Sequence, residues 1–196
     1  MTGRSTLLIC GSRKPPQGHE GRSASREMLR VVAHGMTEAG AEYDWLDLRD
    51  LDLPFFDGRH GGAYEAPDLD RVLAAVEAAT VIVFSVPAYW GGPAGVLKNL
   101  LDLIGGAAYD LPPGTSLPLA GKMTALLVVG ADRGSGHTAL AAMRTTLAVM
   151  GAWTAPRAEV VGDPRQLRGV QALLATLTDF GRYIAALPAT SAAGVS

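Results

Sequence analysis

Short apolar runs separated by longer amphipathic stretches set the reading of this chain. Thr-Leu-Leu-Ile-Cys at 6–10 ends at Gly11-Ser12, Val-Ile-Val-Phe-Ser-Val at 81–86 ends at a Pro/aromatic/Gly segment, and residues 123–130 form a third run. Runs this short, apolar at consecutive positions, predict strands buried on both faces. Residues 42–48 predict a further strand, and 153–161 a fifth that Pro156 interrupts, which suits a sheet edge. Between the strands, apolar positions recur at helical spacing. Met28, Leu29, Val32 and Met36 mark a helix over 23–39 that Gly40 closes. Further helices are expected at 68–79, with Asp68 near the start, at 94–104, from about 137 to 150, and at 167–187.

Strands alternating with helices imply a parallel sheet covered on both faces. The pattern alone goes no further than α/β, parallel. The connections 13–22, 49–67 and 105–121 are polar or irregular, and long loops of this kind are often functional. Residues 1–187 are expected to form one domain, with the small, polar stretch 188–196 a frayed tail.

Composition narrows the function. The chain has 196 residues, enough for one real core, and 48% of them are apolar. The net charge is -2 with both signs interspersed, so nothing points to nucleic acid or an acidic membrane. No apolar run reaches spanning length, and no signal-like segment precedes the first strand. A single cysteine excludes an internal disulfide and fits a reducing cytoplasm. His19, His34, His60 and His137 are scattered without metal spacing. No dinucleotide fingerprint follows the first strand, Gly121-Lys122 lacks the rest of a P-loop, and 134–136 is too compressed for a nucleophile elbow. Cys10, Met28, Met36, Met143 and Met150 read as core.

The candidate chemistry lies at the strand ends, where ligands collect in an open α/β sheet. The run Pro87-Ala88-Tyr89-Trp90-Gly91-Gly92-Pro93-Ala94-Gly95-Val96-Leu97-Lys98-Asn99-Leu100-Leu101-Asp102 leads from the third strand straight into a helix. It resembles the signature of the NADPH-dependent FMN reductase family, Pro-Glu-Tyr-Asn-Gly-Ser-x-Pro-Gly-x-Leu-Lys-Asn-x-x-Asp. Pro87, Tyr89, Gly91, Gly95, Leu97, Lys98, Asn99 and Asp102 match it, while Ala88 and Trp90 replace the usual Glu and Asn and Pro93 falls one place early. The resemblance implies a flavodoxin-like three-layer sandwich with a five-stranded parallel sheet in the order 2-1-3-4-5 and FMN at the central strand ends.

Three loops would then share one ligand. After the first strand, Gly11-Ser12-Arg13-Lys14 and Ser23-Ala24-Ser25 resemble the family's Gly-Ser-x-Arg-x-x-Ser-x-Asn, enlarged by 15–21. Hydroxyls beside the N–H groups of a helix N-terminus suit a phosphate dianion. Ser12, Ser23 and Ser25 map onto the pattern, with Ser25 in the Asn position; the positive charge falls to Arg13, Lys14 or Arg22. The plain alternative makes Ser23 only an N-cap and Ser25 a solvent-facing first-turn residue. In the second loop, Pro87, Ala88, Tyr89, Trp90 and Gly91 would line the isoalloxazine and ribityl chain, or else form a rigid turn whose aromatics fill a dimer contact. In the third, Gly130, Asp132, Gly134 and Ser135 would wrap the pyrimidine side, glycine letting main chain approach a flat ring. Asp132 and Arg133 could instead be an ordinary exposed pair, and His137 reads as a helix-start residue.

By the same resemblance, NADPH or NADH gives hydride to FMN N5, and a flavin, quinone or similar small aromatic acceptor then removes the electrons in a ping-pong scheme. No side chain is expected to act as acid, base or nucleophile. The bulky Trp90 is expected to favour flat acceptors. The resemblance also implies that the helix at 94–104, apolar over a wide arc as a helix with two partners is, pairs with its copy in a homodimer or homotetramer; the plain alternative is that it packs only within its own domain. The alternative is a flavodoxin-like electron carrier serving a protein partner, against which the near-neutral charge speaks; a module that keeps the fold without the cofactor is a third reading.

Overall fold

Alternate residues of one fully buried strand enter two different cores. In β1 (Thr6–Cys10), Leu7 and Ile9 join one cluster, and Leu8 and Cys10 the other. The same division runs through β3 (Val81–Tyr89) and β5 (Met123–Val129), where Ile82, Phe84, Leu126 and Val128 face one side and Val81, Val83, Ala125 and Leu127 the other. A strand flanked by helices on both faces needs apolar residues at every position, which is why these runs do not alternate with polar ones. The computed structural model describes residues 5–14, 23–60, 63–106, 114–162 and 170–188.

The helices are α1 (Ala24–Glu38), α2 (Pro67–Ala78), α3 (Gly95–Gly105), α4 (Arg133–Val149) and α5 (Val170–Ala185). Residues of α1 and α5 fill the cluster around Leu8 and Val83, and those of α2, α3 and α4 the cluster around Ile9 and Phe84. Helices α1 and α5 cross at two glycines: a Cβ on Gly35 would lie 2.0 Å from the Thr178 carbonyl oxygen, and one on Gly181 would lie 2.1 Å from that of Val32.

The strands line up β2-β1-β3-β5, where β2 is Asp44–Asp47, with parallel pairing throughout and Cys10 registered against both Asp47 and Ser85. Beyond β5 the expected fifth strand is two pieces, β6 (Trp153–Thr154) and β7 (Glu159–Val161), both parallel to β5. Pro156 falls in the break, where its missing N–H breaks no ladder bond. The order is thus the expected 2-1-3-4-5. One addition is antiparallel: β4 (Gly92–Pro93) folds back on the end of β3.

Element ends differ from expectation for local reasons. The second strand is shorter than 42–48, because Asp47 turns the chain into a 3-10 turn at Leu48–Asp50 and caps it by accepting from the Arg49 N–H. Helix α4 begins at Arg133, four residues early, because Asp132 is its N-cap and accepts from the Ser135 N–H at 2.8 Å. Gly40 closes α1 at φ 71°, as expected. The insertion 15–21, Arg22, and all of the expected tail except Pro188 lie outside the described residues.

Chain order reverses between β1 and β3, whose carboxyl ends therefore bound the crevice expected of a doubly wound sheet. No helix among the described residues is long and apolar enough to cross a membrane.

Candidate functional site

The loop leaving β1 and the start of α1 meet at this crevice. Ser12, Ser23 and Ser25 are all buried there. The Ser23 hydroxyl caps α1 by accepting from the Arg26 N–H at 3.2 Å, and the Ser12 hydroxyl accepts from the Lys14 N–H at 3.3 Å. Each therefore spends a lone pair on main chain and keeps its O–H proton for an acceptor. Ser25 gives its carbonyl to the Ser85 hydroxyl, 2.8 Å away on β3. Its burial rules out the solvent-facing alternative for Ser25, and Ser23 is the N-cap of α1. Arg13 and Lys14 are exposed.

Beneath this loop lies a residue the sequence reading passed over. Arg26, in the first turn of α1, is 3% exposed. Its guanidinium donates through Nε and Nη2 to the Asp47 carboxylate, through Nη2 to the Ser12 carbonyl at 2.9 Å, and through Nη1 to the Lys14 carbonyl at 3.2 Å. The available signal was an arginine where the helix dipole disfavours a cation, with an aspartate ending the next strand. Nearby, burial and then the Asp47 charge push the Cys10 thiol up to about 11, which keeps it protonated and inert.

At the end of β3, Trp90 and Gly91 turn the chain with φ 53° and 79°, the two positive values of a type I′ hairpin between Ala88-Tyr89 and Gly92-Pro93. Trp90 is the one non-glycine described residue with positive φ, and its indole is 102% exposed. Tyr89 is half-exposed beside it, and Ala88 is buried. The Pro87 carbonyl accepts from the Ala94 N–H at 2.8 Å, which sets the angle at which α3 departs.

The third segment reaches the same place. The Gly91 N–H donates to the Ser135 hydroxyl at 3.2 Å, and a Cβ on Gly130 would sit 3.4 Å from that of Ala88. Gly134 and Ser135 lie in the first turn of α4 rather than in a loop, so the segment that can border a ligand is shorter than expected. Asp132 and Arg133 are exposed but unpaired with each other, Asp132 serving as the cap. His137 is exposed on α4 one turn beyond its start.

The long connection 49–67 folds onto α3. Asn99 accepts from the Phe56 N–H at 2.9 Å and donates to the Pro54 carbonyl at 2.8 Å, leaving Phe55 between them 89% exposed. The Arg59 guanidinium, and after it the Tyr64 hydroxyl, which donates to Asp57 at 2.6 Å, hold the Asp57 carboxyl below the usual range. The wide apolar arc of α3 is filled within the chain: Leu97, Leu100 and Leu101 meet the sheet cluster, and Leu103 meets Tyr64 and Leu69.

These features coincide with a sequence family. The family model described as NADPH-dependent FMN reductase matches residues 5–165. The chain belongs to that family. A curated relative from Geobacillus thermodenitrificans, an NAD(P)H-dependent FAD/FMN reductase, is 41% identical over 59 residues, a stretch covering 30% of this chain and 31% of the relative. The match thus spans about a third of that relative's length. Among solved structures, an NADH:FMN oxidoreductase in its apo form superposes with TM-score 0.69 at 18% identity, covering 96% of this chain and 94% of its own. An NAD(P)H:quinone oxidoreductase from Methanothermobacter marburgensis gives TM-score 0.68 at 18% identity, covering 92% and 96%. Both likenesses establish the flavodoxin-like fold.

The residues present fit the family's FMN. A phosphomonoester needs several donors close together, and the hydroxyls of Ser12, Ser23 and Ser25, buried at the start of α1 and in the loop that Arg26 ties to it, would supply them. A flat ring needs an apolar or aromatic border with close main chain, which Ala88, Tyr89, Trp90, Gly91 and Gly130 would offer. Among the described residues no group of His, Cys, Asp and Glu could hold a metal.

Proposed function

We propose that this protein is an NAD(P)H-dependent flavin oxidoreductase, which moves hydride from NADPH or NADH through bound FMN to a flavin, quinone or similar small aromatic acceptor by a ping-pong mechanism. The observation that carries the reading is the meeting of three segments distant in sequence at the end of β3: Ser25, beside Ser12 and Ser23, is bonded to Ser85 of that strand, and the Trp90-Gly91 turn that follows it is bonded to Ser135 of the Gly130–Ser135 segment. FMN, when bound, supplies a ring that takes up hydride and releases electrons to a second substrate.

The chain's own part is to bind, orient and exclude water. Ser12, Ser23 and Ser25 hold the phosphate. The Ala88–Gly91 main chain borders the ring and sets its electronic surroundings. Tyr89 and Trp90 offer flat apolar surface to whatever stacks over the ring, and the bulk of Trp90 favours planar acceptors. No acid, base or nucleophile from a side chain is required. Residues 1–187 act as one domain of this kind. Exposed Tyr89 and Trp90 are surface that a second copy would cover, which supports a homodimer or homotetramer, and the lone, buried, free Cys10 fits a reducing cytoplasm.

The test is an absorbance spectrum of desalted protein with added FMN, followed by anaerobic NADPH or NADH. Shifted, bound-flavin bands that bleach within a turnover are the expected result. Bands that neither nucleotide bleaches would favour the electron carrier, and absence of binding would overturn the flavin reading.

A further inference from the structure

We propose that Arg26 is a positioning residue for the cofactor phosphate, its buried guanidinium fixing the main chain after β1 so that the serine cradle stands formed before ligand arrives. The proposal rests on the flavin reading above. A cation in the first turn of a helix opposes the macrodipole, and a long side chain there ordinarily extends into solvent. Arg26 turns inward instead and is almost wholly buried.

Its planar fork meets three separate pieces of chain. Nε and Nη2 grip the Asp47 carboxylate at the end of β2, Nη2 also reaches the Ser12 carbonyl at 2.9 Å, and Nη1 the Lys14 carbonyl at 3.2 Å. A trans peptide points its C=O and N–H in opposite directions. With the Ser12 carbonyl drawn onto the guanidinium, the Arg13 N–H is turned outward. Asp47 is itself fixed, by its register against Cys10 and by the Arg49 N–H at 3.1 Å. The lock therefore joins α1, the loop and β2 into one unit.

Arg26 and Asp47 together carry no net charge. The contribution of the pair is geometry rather than attraction, and a lysine, which keeps the charge but not the fork, cannot replace it. A purely structural ion pair would affect all flavins alike. A lock on the phosphate loop acts on FMN and spares riboflavin, which has the same ring and ribityl chain but no phosphate.

The experiment titrates the full chain with FMN and with riboflavin, following flavin fluorescence, alongside thermal unfolding and amide exchange at Lys14, whose N–H is bonded to the Ser12 hydroxyl. The variants are Arg26→Lys and the double variant Arg26→Met with Asp47→Leu, which leaves no unpaired buried charge and so keeps the fold. Expected for both is a loss of FMN affinity of about tenfold or more, a change for riboflavin of less than about twofold, and faster exchange at the Lys14 amide. Equal losses for both flavins, or unchanged FMN affinity in the folded variants, would overturn the proposal. If the unaltered protein binds FMN no tighter than riboflavin, the phosphate lies elsewhere and the proposal falls while the flavin reading stands. If it binds neither, both fall.

Discussion

The main-chain N–H of Gly91 donates to the hydroxyl of Ser135 at 3.2 Å, so the turn after β3 is fastened to the first turn of α4. Gly91 holds φ 79°, and a Cβ there would lie 3.2 Å from Cγ2 of Thr138. Gly91→Ala therefore adds left-handed strain and a tight contact together. It is expected to destabilise the fold by about 1–2 kcal/mol and to weaken FMN binding, as checked by chemical denaturation and flavin titration. Ser135→Ala, which removes the acceptor but adds no strain, is expected to cost only about 1 kcal/mol.

Trp90 sits in the same turn at φ 53° with its indole in solvent. The left-handed conformation costs a non-glycine residue about 1–2 kcal/mol, while glycine loses roughly 0.5–1 kcal/mol in chain entropy. Trp90→Gly is thus expected to leave stability unchanged or raise it by up to about 1 kcal/mol. The same variant and Trp90→Ala are expected to lower the ratio of quinone to free-flavin turnover. Steady-state rates with the two acceptors check this, and an unchanged ratio would show that the indole has no part in acceptor choice.

Asn99 holds both neighbours of Phe55 through one carboxamide. Asn99→Ala strands the Phe56 N–H and the Pro54 carbonyl and is expected to cost about 1–3 kcal/mol. Asn99→Asp keeps an acceptor for Phe56 but loses the donor to Pro54, and a smaller loss is expected. Hydrogen exchange at Phe56 distinguishes the two: it should accelerate in the alanine variant and stay near the native rate in the aspartate variant.

Most of the fold was legible because it rests on patterns a chain must carry to bury a sheet twice: consecutive apolar strands, helical spacing between them, and glycine at the end of α1. The signature at 87–102 pointed to the family. The fine structure of the site was less visible. Gly134 and Ser135 read as loop because glycine is a poor helix former, yet the Asp132 cap draws them into α4. Arg26 and Asp47 were missed because their meeting is tertiary, 21 residues apart across an α–β connection. Gly35 and Gly181 owe their place to a helix crossing that no local pattern announces. The wide apolar arc of α3 meets two clusters inside the chain, the sheet and the Tyr64–Leu69 patch, and the split between them is again a tertiary matter.

Cys10 gives stability an alkaline limit. Burial raises its thiol from the model-peptide value of 9.0 to about 11, with the Asp47 charge adding to the effect. The sign follows from proton counts: above the unfolded value the unfolded chain loses its thiol proton while the folded chain keeps it, so rising pH favours unfolding. The stabilisation is complete below pH 9 and is lost between pH 9 and 11, a span worth about 2–3 kcal/mol at roughly 1.4 kcal/mol per unit. Lysines and tyrosines also titrate in this window, so the comparison is with Cys10→Ala, which lacks the thiol and leaves a small cavity. The variant is expected to be less stable at neutral pH and to lose less on passing from pH 9 to 11. Denaturant midpoints across that range check it. In the native protein the same thiol is expected to resist a soluble alkylating reagent at pH 8 and to react only on unfolding.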